Sequence, residues 1–431
     1  MLQPLHDPLR RFSDQVVVAP SYVIFKEGVM VLAKNGRTGQ IDFAGTDASN
    51  VIQSVIDALA GRGGEVLIKP GVYELKSPLF GASDLVLAGT KGAKLYFTGT
   101  TRHAIYFTNR SNFAVRGLTI EVKEGLDAGG ISIVNCDRFL IEGNRVIGGG
   151  WSGPGSGEAP GINVGFSFFG WVRSNIVERG PHNGVHVVGS SYIHVVGNKL
   201  YDNWNDAIDL SVSTPRNQFN VVSENICYAT ESVSEKLGIS IQGDDNVVNN
   251  NIVIGTRDWG IYVEGERNVV VGNYVRDVGG SGLGIWLDET AKDNVIMGNN
   301  VKNCSFGIYE EDGCDNVVVG NDVAGNASPI RKVSYIARYN RGYFVEAQAG
   351  ITDAIRVDSA GVRSRTITFE REYPATPHVT LTLASPTATD WNGWAYVSGL
   401  TKTGFTANLV VVTPSQTPGA VVYIRWSAYV P

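Results

Sequence analysis

The 431-residue chain carries 36 Lys and Arg against 42 Asp and Glu, a formal net charge of −6 with the signs dispersed. No basic run is available to neutralise phosphates, which argues against nucleic acid or an anionic membrane as partner. No apolar stretch reaches signal-peptide or membrane-spanning length, the N-terminal "MLQPLHDPLRRFSDQ" included, so no membrane insertion is expected.

Residues 1–75 read as an N-terminal cap. "YVIFKEGVMVLAKNG" predicts a hairpin followed by a turn. "TDASNVIQSVIDALAGRGG" predicts a helix, with Thr46 or Asp47 as its cap and Gly61 as its stop. Between them, Val51, Ile52, Val55, Ile56 and Leu59 recur at helical spacing. "GEVLIKPGVYEL" follows as strand and turn. This order of short helix, Gly-Gly, strand and Pro-Gly-x-Tyr resembles the start of pectate-lyase-superfamily proteins.

Residues 76–330 are a repeat. The units open on "AIYFT" at Ala104, "GISIV" at Gly130, "GINVG" at Gly161, "GVHVV" at Gly184 and "AIDLS" at Ala207. They continue with "GISIQ" at Gly238, "GIYVE" at Gly260, "GIWLD" at Gly284 and "GIYEE" at Gly307, at intervals of 22 to 31 residues. Strand signals at this period, without helical ones, predict a solenoid whose units bury their apolar residues only by stacking. The 52 glycines are spread along the chain, as turn chemistry requires. An Asn recurs near the end of the second strand, at Asn144, Asn175, Asn198, Asn225, Asn251, Asn273, Asn299 and Asn321. Stacked amides can bond coil to coil, so these are read as structural. The repeat resembles right-handed parallel β-helix proteins: pectate lyases, polygalacturonases and phage tailspikes. The four cysteines, Cys136, Cys227, Cys304 and Cys314, lack zinc-site spacing and are expected as buried free thiols.

Residues 331–431 read as a linker and a β-sandwich. "RTITFEREYPATPHVTLTLASP", "GWAYVSGLTKTGFTANLVVV" and "AVVYIRWSAYV" alternate as half-buried strands do. Their Phe-x-x-x-Tyr-Pro entry, Thr-x-x-Gly-Phe middle and final Trp-x-Ala strand are similar to H-type lectin domains, which implies sugar binding and a homotrimer. The predicted fold class is therefore all-β: a right-handed parallel β-helix with an N-terminal helix cap and a C-terminal β-sandwich.

With Ile, Val and Leu facing inward, alternate residues leave two outward columns. The first reads Tyr106, Ser132, Asn163, His186, Asp209, Ser240, Tyr262, Trp286, Tyr309; the second reads Thr108, Val134, Gly165, Val188, Ser211, Gln242, Glu264, Asp288, Glu311. At a strand spacing of about 4.8 Å an aromatic stripe then runs beside an acidic one. Aromatic faces pack on sugar rings and carboxylates accept their hydroxyls, which makes Tyr262, Trp286 and Tyr309, with Gln242 and Asp206, candidate substrate contacts. A stabilising aromatic stack with solvated acids beside it is the other reading. Three acids on successive rungs repel, raising at least one pKa. By coil spacing Glu264 and Asp288 fit the roughly 5–5.5 Å carboxyl separation of a retaining glycosidase, and Glu264 and Glu311 approach the inverting one of about 6.5–9.5 Å.

His186 and Asp209 on adjacent rungs form a second candidate centre, close enough on this reading to share a hydrogen bond and act as a general base. His182 and Asp206 stand in the preceding turns. Trp151, Glu158 and Lys236 fall in the two long coils, as groove walls or solvated loops. "IQGDDNVVNN" invites comparison with polygalacturonases, but the companion Asn-Thr-Asp, Gly-His-Gly and Arg-x-Lys segments are absent. Asp244 and Asp245 fall in a turn, where a Ca²⁺ role stays open. The Lys and Arg pattern of a pectate lyase base is absent too. Glu310 takes an inward slot, where the regular core is expected to end.

The sequence thus predicts a carbohydrate-active protein that binds a polysaccharide or cell-surface glycan along the groove and cleaves it as glycoside hydrolase or polysaccharide lyase. No cofactor or metal is required. The competing class is a non-catalytic glycan-binding adhesin or virion or surface structural protein. The resemblance implies an extracellular or virion-associated location.

Overall fold

A computed structural model describes residues 19–149, 159–230, 237–311, 316–331, 336–338, 340, 348–369, 373, 376–384 and 390–429. Trp151, Glu158, Lys236 and Cys314 lie outside the described residues. The chain forms two compact units, one of residues 1–317 with 321–335 and one of residues 318–320 with 336–431.

The first unit is a parallel solenoid. A representative coil contributes Asp206–Ser211, Val221–Ser223 and Ile226–Tyr228, and the next contributes Leu237–Ile241, Val247–Asn249 and Ile252–Ile254. Like strands pair in parallel from coil to coil, in sheets of 11, 15 and 10 strands. The 11-stranded sheet, here the front sheet, is built from the first strand of each unit. Its register does not slip: Ile208, Ile239, Ile261, Ile285 and Ile308 stand in one file. All five are fully buried. Each such side chain contributes roughly 1.5–3 kcal/mol by leaving water, and only the adjacent coils provide the apolar surface that covers it.

The glycine that opens most units has a steric cause. A Cβ on Gly238 would lie 1.8 Å from the Gly260 carbonyl oxygen, and one on Gly260 would lie 2.2 Å from Val275 Cγ1. The coil turns its corner against the next coil too closely for any side chain.

The predicted asparagine column is a continuous buried ladder. Asn225 donates its backbone N–H (3.0 Å) and its Nδ2 (3.0 Å) to Asn251 Oδ1, while Asn251 Nδ2 donates back to the Val222 carbonyl at 2.9 Å. The pattern runs from Asn144 to Asn321. A second ladder, missed in the sequence, joins Asn220, Asn246, Asn268, Asn294 and Asn316 through backbone N–H to Oδ1 bonds of 2.7–2.9 Å. Glu310 does face inward; it is fully buried and its Oε1 accepts from Asn316 Nδ2 at 2.8 Å.

The helix Ala48–Leu59 (α1) buries Val51, Ile52, Val55, Ile56 and Leu59. Asp47, not Thr46, is its cap, accepting from the backbone N–H of Ser49 and Asn50. The hairpin Tyr22–Glu27 and Met30–Asn35 forms as predicted. Its first strand pairs in parallel with Gly64–Ile68, so the hairpin extends the 15-stranded sheet past the first coil. Ile41–Gly45 adds a further antiparallel strand. Cys136, Cys227 and Cys304 are free and buried. No described helix is long and apolar enough to cross a membrane.

The second unit is antiparallel. Gly361–Thr368, Gly404–Thr413 and Asn392–Ser398 form one sheet, and Val421–Tyr429 pairs with Gln348–Ile351, Ile355–Arg356 and His378–Ala384 in another. Phe405, Ala407, Leu409 and Val411 of the first share a core with Val422, Ile424 and Ala428 of the second. Two sheets over one core make the expected sandwich.

Asn251→Leu strips the partners from the Asn225 amide groups and the Val222 carbonyl inside the core. Each buried unsatisfied group costs about 1–3 kcal/mol. Thermal unfolding of the variant is expected to start well below the wild type; an unchanged melting temperature counts against a structural ladder.

Candidate functional site

The register sets the first outward column in line, from Tyr106 through Ser132, Asn163, His186, Asp209, Ser240, Tyr262 and Trp286 to Tyr309. It ends on Arg331, whose guanidinium lies 5.2 Å over the rings of both Phe306 and Tyr309. Gln242, Glu264, Asp288 and Glu311 follow the strand ends, and their backbone N–H groups donate to Leu210, Ile241, Val263 and Leu287 of the coil before. They are therefore in file too.

The aromatic stripe is not a parallel stack. Tyr262 and Trp286 lie 4.7 Å apart but are inclined at 51°, and Trp259 meets them at 40° and 59°. Inclined rings leave part of each face uncovered. A contrasting ladder stands at the turn into the second strand. There Phe169, Tyr192 and Phe219, all exposed, stack at 5.0 and 5.3 Å with planes within 13° and 18°. Those rings cover one another's faces, as a stabilising stack does. The sequence reading had not separated the two kinds.

Glu264 and Asp288 are joined by one phenol. Tyr262 Oη stands 3.2 Å from Glu264 Oε2 and 3.1 Å from Asp288 Oδ2, which brings the two carboxylate oxygens within about 6 Å of each other. Burial, then the two carboxylates, push the Tyr262 phenol well up from its ordinary pKa. Gln242 Nε2 donates to Glu264 at 3.0 Å, and Thr290 donates to Asp288 through its backbone N–H (3.0 Å) and Oγ1 (3.1 Å). Tyr309 Oη donates to Glu311 at 3.4 Å.

Asp209 and Asp206 are the desolvated acids, 6% and 5% exposed, and each has one carboxyl oxygen without a hydrogen-bond partner. Burial raises Asp209 to about 7; the Glu264 charge adds to the rise, while Asn183 and the hydroxyls of Ser211 and Ser240 oppose it. Burial and then Asp209 raise Asp206 well above the carboxylate range, and the nearby Trp259 indole, which closes no hydrogen bond, tempers the shift.

The expected His186–Asp209 hydrogen bond is corrected. Nε2 to Oδ2 is 3.7 Å, too long for one, because Asn183 Nδ2 takes that oxygen at 2.9 Å and Asn163 Oδ1 holds His186 Nδ1 at 3.0 Å. Burial, with His182 adding, lowers His186 to about 4, so it stays neutral and weakly basic near neutrality. Asp244 and Asp245 are engaged by guanidinium groups, Arg216 at 2.7 Å and Arg267 at 2.8 and 3.0 Å. Among the described residues no group of three acids, histidines or cysteines could hold a metal ion.

Asn183 and Trp259 are the contributors that sequence reasoning missed. Both stand immediately before the corner Gly of their unit, in the file of Asp206. Strict alternation sends that position inward, but the corner swings it to the outer face, where Asn183 meets Asp209 and Trp259 meets Tyr262.

These features define a parallel β-helix with one chemically distinct face. The family model described as a right-handed β-helix region matches residues 103–275 and 238–351, more than half of the chain, and the chain belongs to that family. No curated protein sequence matches it. Among solved structures it is similar to the Dettilon tailspike protein (gp208), at 14% identity and TM-score 0.63 over 89% of this chain and 91% of that one. It is also similar to the tailspike gp61 of Pseudomonas phage phi297, at 10% identity and TM-score 0.55 over 89% and 92%. ORF18 of Geobacillus virus E2 matches at 15% identity and TM-score 0.55 over 87% and 75%.

A raised folded-state pKa means that the native protein keeps a proton which the unfolded chain has lost, so from about pH 4 to 7 Asp209 makes stability fall as pH rises. His186, lowered from 6.5 to about 4, acts in the opposite sense over that window, stability rising with pH. Asp209→Asn is therefore expected to melt a few degrees above wild type at pH 8, with the gap closing towards pH 4. A gap that is constant across pH would show that Asp209 is not held protonated.

Proposed function

We propose that the front face binds a polysaccharide and hydrolyses it, with Asp209 as general acid and Glu264 as the carboxylate that activates water. The observation that carries this reading is Asp209 itself: a carboxyl in the file of the outward column, 6% exposed, that burial raises to about 7. Acid catalysis needs a carboxyl that is still protonated near neutral pH, beside a second one in a more polar setting. Glu264 receives Gln242 and Tyr262, and stands two rungs from Asp209. Glu264 stands in the second column, near enough for its charge to add to the rise at Asp209. Tyr262, Trp286 and Trp259 supply the sugar platform, with Tyr309 and Glu311 extending the track.

The Tyr262 bridge favours a second reading, in which Glu264 and Asp288, one rung apart, work as a retaining pair. Phage-spike or surface association accords with the two tailspike neighbours. Sugar binding by the C-terminal sandwich and assembly as a homotrimer, both implied by the H-type lectin resemblance, belong to the proposal as well.

The test is incubation of the full chain with a polysaccharide panel, reading new reducing ends and the anomer first released. Asp209→Asn is expected to lower kcat about 10²–10⁴-fold while binding persists, and Trp286→Ala to weaken binding. Inverted product supports Asp209 with Glu264; retained product, with Asp288→Asn the more damaging change, supports the second pair. Retention on a glycan without cleavage would leave an adhesin.

A further inference from the structure

Resting on that reading, we infer that the glycan it takes is uncharged or carries amino groups, and that polyuronates are excluded. The argument is the sign of charge along the face. Glu264, Asp288 and Glu311 line it over three successive rungs, and Asp206 and Asp209, on an earlier rung, are carboxyls whose charged form burial disfavours. Among the described residues of the two outward columns there is no lysine or arginine before Arg331, at the far end and over Phe306 and Tyr309. Past the strand ends, the guanidinium groups of Arg216 and Arg267 are engaged with Asp244 and Asp245. His186 supplies no charge at neutral pH, being held down to about 4.

A polyuronate laid on this track would set a carboxylate on each sugar against the acids, with no cation among the described residues of the two columns before Arg331 to pair it. Anionic groups are recognised by guanidinium forks, ammonium groups or converging N–H donors, and like-charge juxtaposition disfavours a partner strongly. Elimination from a uronate also needs the sugar carboxyl neutralised as negative charge develops on it, and the described residues of the two columns before Arg331 hold no cation for that. The same acids suit hydroxyl donors and ammonium groups. Asp206 and Asp209 each keep one buried carboxyl oxygen, and Trp259 and Trp286 a buried indole N–H, without a hydrogen-bond partner. This points to hydrolysis of a neutral or amino glycan and against the lyase alternative.

The experiment measures binding of the full chain to oligomers of a neutral glucan, a neutral mannan, partly deacetylated chitin, polygalacturonate and alginate. It is run at about 0.01 M salt, where charges act over roughly 30 Å, and at about 1 M, where they act over roughly 3 Å. A neutral or amino oligomer is expected to bind at least about tenfold more tightly than either uronate at low salt, the gap narrowing at high salt. The double variant Glu264→Gln with Asp288→Asn is expected to narrow it too. A uronate that binds wild type as well as or better than the others overturns this inference and leaves the glycan-binding reading standing. Binding to none of the five overturns both.

Discussion

Everything on the front face depends on the coils stacking without a register slip, and the buried asparagines are what forbid a slip. A solenoid held by Ile and Val alone could slide by two residues and still present apolar side chains to its core. The Asn144–Asn321 ladder cannot slide, because each amide both accepts from the coil before it and donates to a strand carbonyl of that coil. A displaced rung would leave several buried polar groups unpaired at once. The second ladder, Asn220 to Asn316, repeats the constraint at the other end of the strand.

With the register held, the outward chemistry follows from position. Burial sets apart Asp206 and Asp209, which share one strand of the front sheet, and raises both carboxyls. Glu264 and Asp288, further along the file, share a tyrosine and keep neutral donors. The two outward columns therefore offer a carboxyl that burial raises to about 7 and hydrogen-bonded carboxylates within a few rungs. That division of roles is what acid–base cleavage asks of a site.

Much of this was readable from the residues. The two-residue alternation in "GISIV" or "GIYVE" identified the inward and outward columns, and the recurring Asn gave one ladder. The second is equally visible, in "FNVV", "DNVV", "RNVV" and "DNVI". Asn183 and Trp259 were hidden by the corner before each unit's Gly, where the alternation rule gives the wrong face. The burial of Asp209 had no local signal at all. Desolvation depends on what packs across the coil from distant positions, so the sequence pointed to Glu264, Asp288 and Glu311 as the mutually repelling acids, whereas burial singles out the earlier pair. The tilt of Tyr262 against Trp286, which separates a platform from a stack, is likewise set by neighbours such as Trp259.

The most direct check on this account is electron density from crystals of the full chain soaked with whichever oligosaccharide it retains. Sugar rings lying along the front sheet, against Tyr262 and Trp286 with a glycosidic oxygen facing Asp209, are the predicted result. A sugar seated elsewhere, on the Phe169–Tyr192–Phe219 ladder or on the C-terminal sandwich with the front face bare, would contradict it.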